Sequence, residues 1–346
     1  MKGKIAQVYA VLFASLIFIF LGGRYNYFGT LPLWAVCLEI LLMIFVLVIL
    51  FLPSYFLHKS TGCDVFNVFI NKASVGRIAV SSLYALLFVF ACVRFISIYV
   101  QILTTALNPN ANKFVFAGGL LLVCAYSAYK GVFTSTRCAL IASVVIAFCV
   151  IMVLLGNISD IELNNLYRSN SIDSFFSGAF SILPVCILPV IFSLISGEFF
   201  HSKSSFICFV IIAFISTVLL VFFINTVLGN YADDRKFPYF ILSKNASFGQ
   251  MASFDFLYMI AISLCVFVVV AVLLCCINKA VMVEQKGKNT VIFTILVFVL
   301  YICTEAFPKA KSFIQNDIIF VVLCFLYALV LPIYALIKLK GGNKNA

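Results

Sequence analysis

Ten runs of apolar residues separated by short polar stretches organise this chain. They lie at about 5–22, 33–57, 78–106, 114–129, 138–156, 175–197, 205–229, 256–278, 290–307 and 318–338. A bilayer's hydrocarbon core is about 30 Å thick and takes roughly 20 helical residues to cross. The pattern therefore predicts an all-α integral membrane protein of about ten transmembrane helices, with nine as the alternative because the fourth run is short. No stretch between the runs is long or polar enough to fold alone, so residues 1–346 read as one polytopic membrane domain. Ten spans divide into five plus five, about 5–156 and 175–338, and an odd number per half gives the halves opposite orientation. That is the arithmetic of an inverted repeat.

Composition removes the soluble alternatives. Hydrophobic residues make up 64% of the chain, Phe alone numbers 39, and charged residues are 10%, too few to cover a soluble domain of 346 residues. The net charge of +11 raises nucleic acid as a partner, but the basic residues sit singly or in pairs beside span ends. Of the 23, fourteen fall on one side if the N-terminus is cytoplasmic, eight fall on the other, and Arg94 lies inside a span. Positive-inside bias accounts for that split, favours both termini inside, and leaves no nucleic-acid partner to propose. Lys2 and Lys4 before an apolar run could open a secretory signal, yet Gly22-Gly23-Arg24 offers no cleavage site, so the run counts as the first span. The cysteines lie mostly in or against spans with no CxxC or Cys/His cluster, which points to packing rather than metal or disulfides.

Polar residues at membrane depth are the candidates for function. In the third span Arg94, Ser97, Gln101, Thr104 and Thr105 recur every three or four residues and share one helical face. Two readings of Arg94 stand: its planar fork binds a ligand carboxylate, or it staples helices through a partner such as Glu39. Glu39, inside the second span, is equally a possible proton site. In the sixth run Pro184 and Pro189 each remove a backbone donor and prevent a regular helix, so the sixth helix is expected to be broken. The first span has no matching break, only Gly22-Gly23 at its end. Asp255 and Tyr258, at i and i+3 where the eighth span begins, line an outer vestibule or serve as a helix-start carboxylate and an interface tyrosine. Asn225 and Asn278 read as interhelical hydrogen-bond partners. Glu198, His201 and Lys203, and likewise Glu305, read as span boundaries, the first three with a gate as the alternative. The acidic residues of loops 157–174 and 230–253 discriminate no function.

Catalysis has no foothold. His58 and His201 lie at one surface with no nucleophile-elbow, zinc-peptidase, Walker or dinucleotide pattern about them, so no enzyme, metal or cofactor is expected.

The order of these signals resembles the B subunits of spore germinant receptors, permease-like members of the amino acid, polyamine and organocation superfamily. The likeness runs through the third span from Tyr84 past Arg94 to Leu107-Asn108-Pro109, then Ala125-Tyr126-Ser127-Ala128-Tyr129-Lys130-Gly131 with Arg137, then Phe237-Pro238 followed by Asp255. The sixth span departs from the family pattern in lacking an acid, and the first span in lacking a glycine break. The resemblance implies a ten-helix inverted repeat with a broken sixth helix, in the cell membrane or the spore inner membrane. It implies a small nutrient ligand, typically an amino acid, and companion A-type and lipoprotein C-type subunits. An amino acid permease coupled to a proton or sodium ion is the alternative, and a membrane scaffold with a vestigial pocket is a third reading.

Overall fold

In the computed structural model the described residues are 2–23, 33–61, 75–106, 110–166, 183–199, 203–232, 237–249, 251–281 and 286–342. They form α1 (Lys2–Gly22), α2 (Leu33–Thr61), α3 (Val75–Ala106), α4 (Lys113–Lys130) and α5 (Val132–Leu155). A 3-10 turn at Leu183–Cys186 leads into α6 (Ile187–Phe199), followed by α7 (Lys203–Phe223) and a π-turn at Ile224–Leu228. Then come α8 (Pro238–Asn245), the two-residue strands β1 (Ser247–Phe248) and β2 (Met251–Ala252), α9 (Asp255–Val281), α10 (Lys286–Ala306) and α11 (Pro308–Ile314). Last, α12 (Asp317–Phe325) passes through a π-turn at Leu326–Val330 into α13 (Leu331–Gly342).

Seven helices among the described residues are long and apolar enough to cross a membrane: those of α2, α3, α5, α7, α9, α10 and the continuous α12–α13 segment. Ala6–Gly22 and Leu183–Ile195 are shorter apolar helices. Large apolar side chains such as Leu122, Ile141 and Ile337 point outward, the reverse of a soluble surface and the condition for contact with lipid. The protein is an all-α, multi-pass membrane protein. Burial separates its layers: 78% of the most apolar stretch of both α3 and α9 is buried, against 22% for α10. The helices α3 and α9 pack on each other at the centre, α1, α4 and α5 pack on α9, and α2 packs on α6, α7 and α13.

Small residues and buried hydroxyls set the closest approaches, as expected where lipid supplies no hydrophobic contrast between helices. Ser143 on α5 donates to the Ala10 carbonyl of α1 at 2.9 Å, and Asn278 on α9 donates to Thr290 on α10 at 2.7 Å. Tyr84 on α3 donates to the Tyr327 carbonyl at 3.2 Å while Tyr327 donates back to the Leu83 carbonyl at 3.0 Å.

Three elements differ from expectation or sharpen it. The turn between α4 and α5 is a single residue, Gly131, and α5 begins at Val132 rather than near 138. Gly131 has φ +99°, a conformation that reverses the chain at little cost only without a Cβ. Of the prolines of the sixth run, Pro184 is in the 3-10 turn and Pro189 in the first turn of α6, where a missing N–H costs little, and the part of the run before Leu183 lies outside the described residues. The π-turns were not anticipated. One precedes Pro332, whose ring and missing N–H disturb the turn behind it. The other leaves the Thr226 carbonyl to accept from the Glu162 N–H at 3.1 Å and from Asn165 at 3.0 Å, which fastens residues 158–166 across that end of α7. Asn225 has neither amide atom bonded among the described residues, so the expected interhelical bond is not formed there.

The Arg24–Tyr27 run, Leu107–Pro109, His201, Asp173, Asp233 and Asp234 lie outside the described residues, as do the side chains of Glu198 and Lys203.

Candidate functional site

The end of α1 is the first wall of the site. Gly22 lies so close to α3 that an added Cβ would stand 3.1 Å from Ile98 Cγ2, and the Leu21 carbonyl accepts a hydrogen bond of 3.0 Å from the buried Tyr258 hydroxyl on α9. The 3-10 turn carrying Pro184 packs on α12 and meets α1. Between them lies a cavity of about 90 Å³, to which α3 presents Arg94, Ile98 and Gln101. Phe237, ahead of α8, closes one side, and Gln315 and Asp317, at the junction of α11 and α12, close another. That volume has room for several waters or the few heavy atoms of a small solute.

Arg94 dominates the electrostatics. Its side chain is 4% exposed, and Nη1 donates to the carbonyls of Ile314 at 2.9 Å and Asn316 at 3.1 Å. Nη2 forms an ion pair with Asp317, and the guanidinium carbon sits 4.6 Å from the ring centroid of Phe320. Carbonyls, a carboxylate and an aromatic face together offset the cost of placing the charge at membrane depth. Asp317 is 53% exposed, so the pair reaches the protein surface on its acidic side.

The expected Arg94–Glu39 staple is not formed. Glu39 is on α2 with 1% exposure, and neither carboxylate oxygen has a hydrogen-bond partner among the described residues. Arg94 takes instead the acid that begins α12, because the hairpin of α11 and α12 lies against α3.

The other candidates divide by what they touch. Gln101 and Pro184 line the cavity with Arg94. Ser97 stands one bond behind, accepting from Gln315 Nε2 at 3.2 Å, and Tyr258 positions the end of α1 through Leu21. Thr104 donates to the Val100 carbonyl of its own helix at 3.0 Å, and Thr105 to that of Gln101 at 2.8 Å, so the polar stripe serves two purposes. Pro189 is buried in α6, and Asp255 accepts from the Phe256 N–H at 3.0 Å as a helix-start carboxylate; neither lines the cavity. Glu305 binds Lys311 at 2.7 Å and Lys113 at 3.4 Å, outside it.

Sequence reasoning missed Gln315, Asp317 and Phe320. One signal was present: Asn316-Asp317 before an apolar run is a helix start, and Asn316 does accept from the N–H groups of Ile318 and Ile319. That pattern marks a helix end but not which helix it faces.

The arrangement can hold a zwitterion. The C-terminal end of α1 carries the negative pole of its helix dipole, attractive to an ammonium group. Arg94 carries the positive charge, and Gln101 supplies an amide able to donate and accept. Neither family models nor curated proteins return a match to this chain.

Proposed function

We propose that this chain binds a small zwitterionic nutrient, an amino acid in the simplest case, in the cavity between the end of α1, the Pro184 turn and Arg94. The supporting observation is the meeting of opposite charge, helix end and free volume at one place inside the bundle. Arg94 is already engaged, so a ligand carboxylate must exchange with Asp317. The exchange is cheap on the protein side because Asp317 is half-exposed and can return to water. It also releases the start of α12 from α3. Ligand binding and closure of the α11–α12 hairpin on α3 are then in competition, and a ligand shifts a conformational equilibrium through such differential affinity.

In the germinant-receptor reading drawn from the resemblance, that shift is the signal. It would pass to companion A-type and lipoprotein C-type subunits from a bundle of ten spans with both termini cytoplasmic. An ion-coupled amino acid permease is the second reading, favoured by Glu39: a buried carboxylate without a hydrogen-bond partner among the described residues is costly as an anion, and a coupling proton or cation would relieve it.

Purified protein in proteoliposomes separates these readings. Equilibrium binding of radiolabelled amino acids, scanned singly, should find at least one ligand displaced by its own unlabelled form, and no saturable binding to any of them rejects the cavity as an amino acid site. Uptake driven by an imposed proton or sodium gradient selects the permease; binding without uptake selects the receptor.

A further inference from the structure

A second concavity lies along a different set of α3 residues from those at the solute cavity. It measures about 590 Å³ and is walled by Leu86 and Val93 of α3, Leu300 and Cys303 of α10, Phe313 of α11 and Leu323 of α12. Its surface is almost entirely carbon. The hydroxyls nearest to it are committed within the protein, Thr304 donating to the Tyr301 carbonyl at 2.7 Å and Tyr327 to that of Leu83 at 3.0 Å. A space so lined holds no ordered water. It is open to the outside of the bundle, for Leu86 is 66% exposed and Phe313 53%.

Its rim has the opposite character. The short helix α11 sits between the end of α10 and the start of α12 and places Lys309 and Lys311 on either side of the groove residue Ala310 in sequence. Lys311 and Lys113 share Glu305, the neighbour of the groove residue Thr304. Lys309 is exposed and has no ion-pair partner among the described residues. Three lysines against one glutamate leave two positive charges at the mouth of a carbon-lined groove.

We propose that this groove is a specific site for an anionic phospholipid, with one acyl chain along α3 and α10 and the phosphate at Lys309 and Lys311. The volume and carbon lining suit a lipid tail, and the charge at its mouth selects an anionic headgroup over a zwitterionic one. The site is independent of the nutrient reading, but it shares α11 with it, since Ile314 both lines the groove and gives its carbonyl to Arg94.

The test is photo-labelling in phosphatidylcholine vesicles doped with a trace of tail-photoactivatable phosphatidylglycerol or its phosphatidylcholine counterpart, with crosslinked peptides mapped by mass spectrometry. The phosphatidylglycerol probe should label groove residues of α3, α10 and α11 several-fold more than the phosphatidylcholine probe. Lys309→Gln, at an exposed position that leaves the fold intact, should lower the phosphatidylglycerol signal about fivefold. Cys303→Trp, which fills the groove, should remove groove labelling by both probes while labelling elsewhere persists. Equal labelling by the two probes, no labelling in the groove, or an unchanged signal in Lys309→Gln overturns the proposal, and the groove is then ordinary lipid contact or the seat of another helix.

Discussion

At the scale of single residues, the decisive fact is which acid Arg94 chose. An arginine at the centre of a span costs about 2.5–3.5 kcal/mol on insertion scales, so some partner was obligatory. A buried Glu39 would have made the pair rigid; the half-exposed Asp317 makes it exchangeable. A double-mutant cycle of Arg94→Ala with Asp317→Ala, followed by thermal unfolding, should therefore give a coupling of about 0.5–1 kcal/mol, whereas Arg94→Ala with Glu39→Gln should be additive within about 0.5 kcal/mol. Removing the competitor predicts the opposite effect on ligand: Asp317→Asn should tighten amino acid binding up to about fivefold. Arg94→Lys keeps the charge but loses the planar fork and should weaken binding about tenfold or more. Binding isotherms on the reconstituted variants check both, and weaker binding in Asp317→Asn would make Asp317 part of the ligand site rather than its rival.

Among the elements, two glycines show how one substitution acts by two mechanisms. At Gly131 an added Cβ meets nothing within 4 Å, but φ +99° is hostile to any side chain. Gly131→Ala should destabilise by about 1–3 kcal/mol with ligand binding unchanged. At Gly22 the backbone is ordinary and space is the limit, with Ile98 Cγ2 at 3.1 Å. Gly22→Ala should leave thermal stability nearly intact but push the end of α1 off α3 and weaken binding several-fold. Equal loss of stability in both would sink the distinction. Pro184 belongs with Gly22: replacing it by Ala adds an N–H to the 3-10 turn and permits a regular helix, which should weaken binding without affecting insertion.

Over the whole molecule, seven helices among the described residues are long and apolar enough to cross a membrane, and the proposed topology of ten adds α1, α4 and the sixth run to them. The 18 residues of α4 reach about 27 Å, close to the hydrocarbon thickness, and its one-residue turn into α5 requires the two to run antiparallel. On the proposed topology, in which both termini are cytoplasmic, a reporter fused after Lys244 should read external and one after Lys286 internal. An external signal at Lys286 would remove the opposed orientation that the five-plus-five repeat needs.

Periodicity and hydropathy alone located most of the long helices, though not the short α8 and α11 or the start of α5, because in hydrocarbon each segment must satisfy its own backbone and reveals itself in apolar length. The helices begin at Leu33, Val75, Lys113, Asp255 and Asp317 within a few residues of the runs that predicted them. The polar stripe on the third span was equally legible, since helical spacing is a property of sequence. What the chain could not disclose by itself was partnership. Asp317 lies more than two hundred positions from Arg94, and Glu39 was the partner that the sequence suggested. Spacing orders residues along one helix, whereas only the packing of helices against one another decides which charges meet. The π-turns and the one-residue turn at Gly131 belong to the same class, for they answer to how neighbouring helices fit. Tertiary structure therefore determined the cavity, its carboxylate and the lysine-rimmed groove, and the sequence determined the helices from which all three are built.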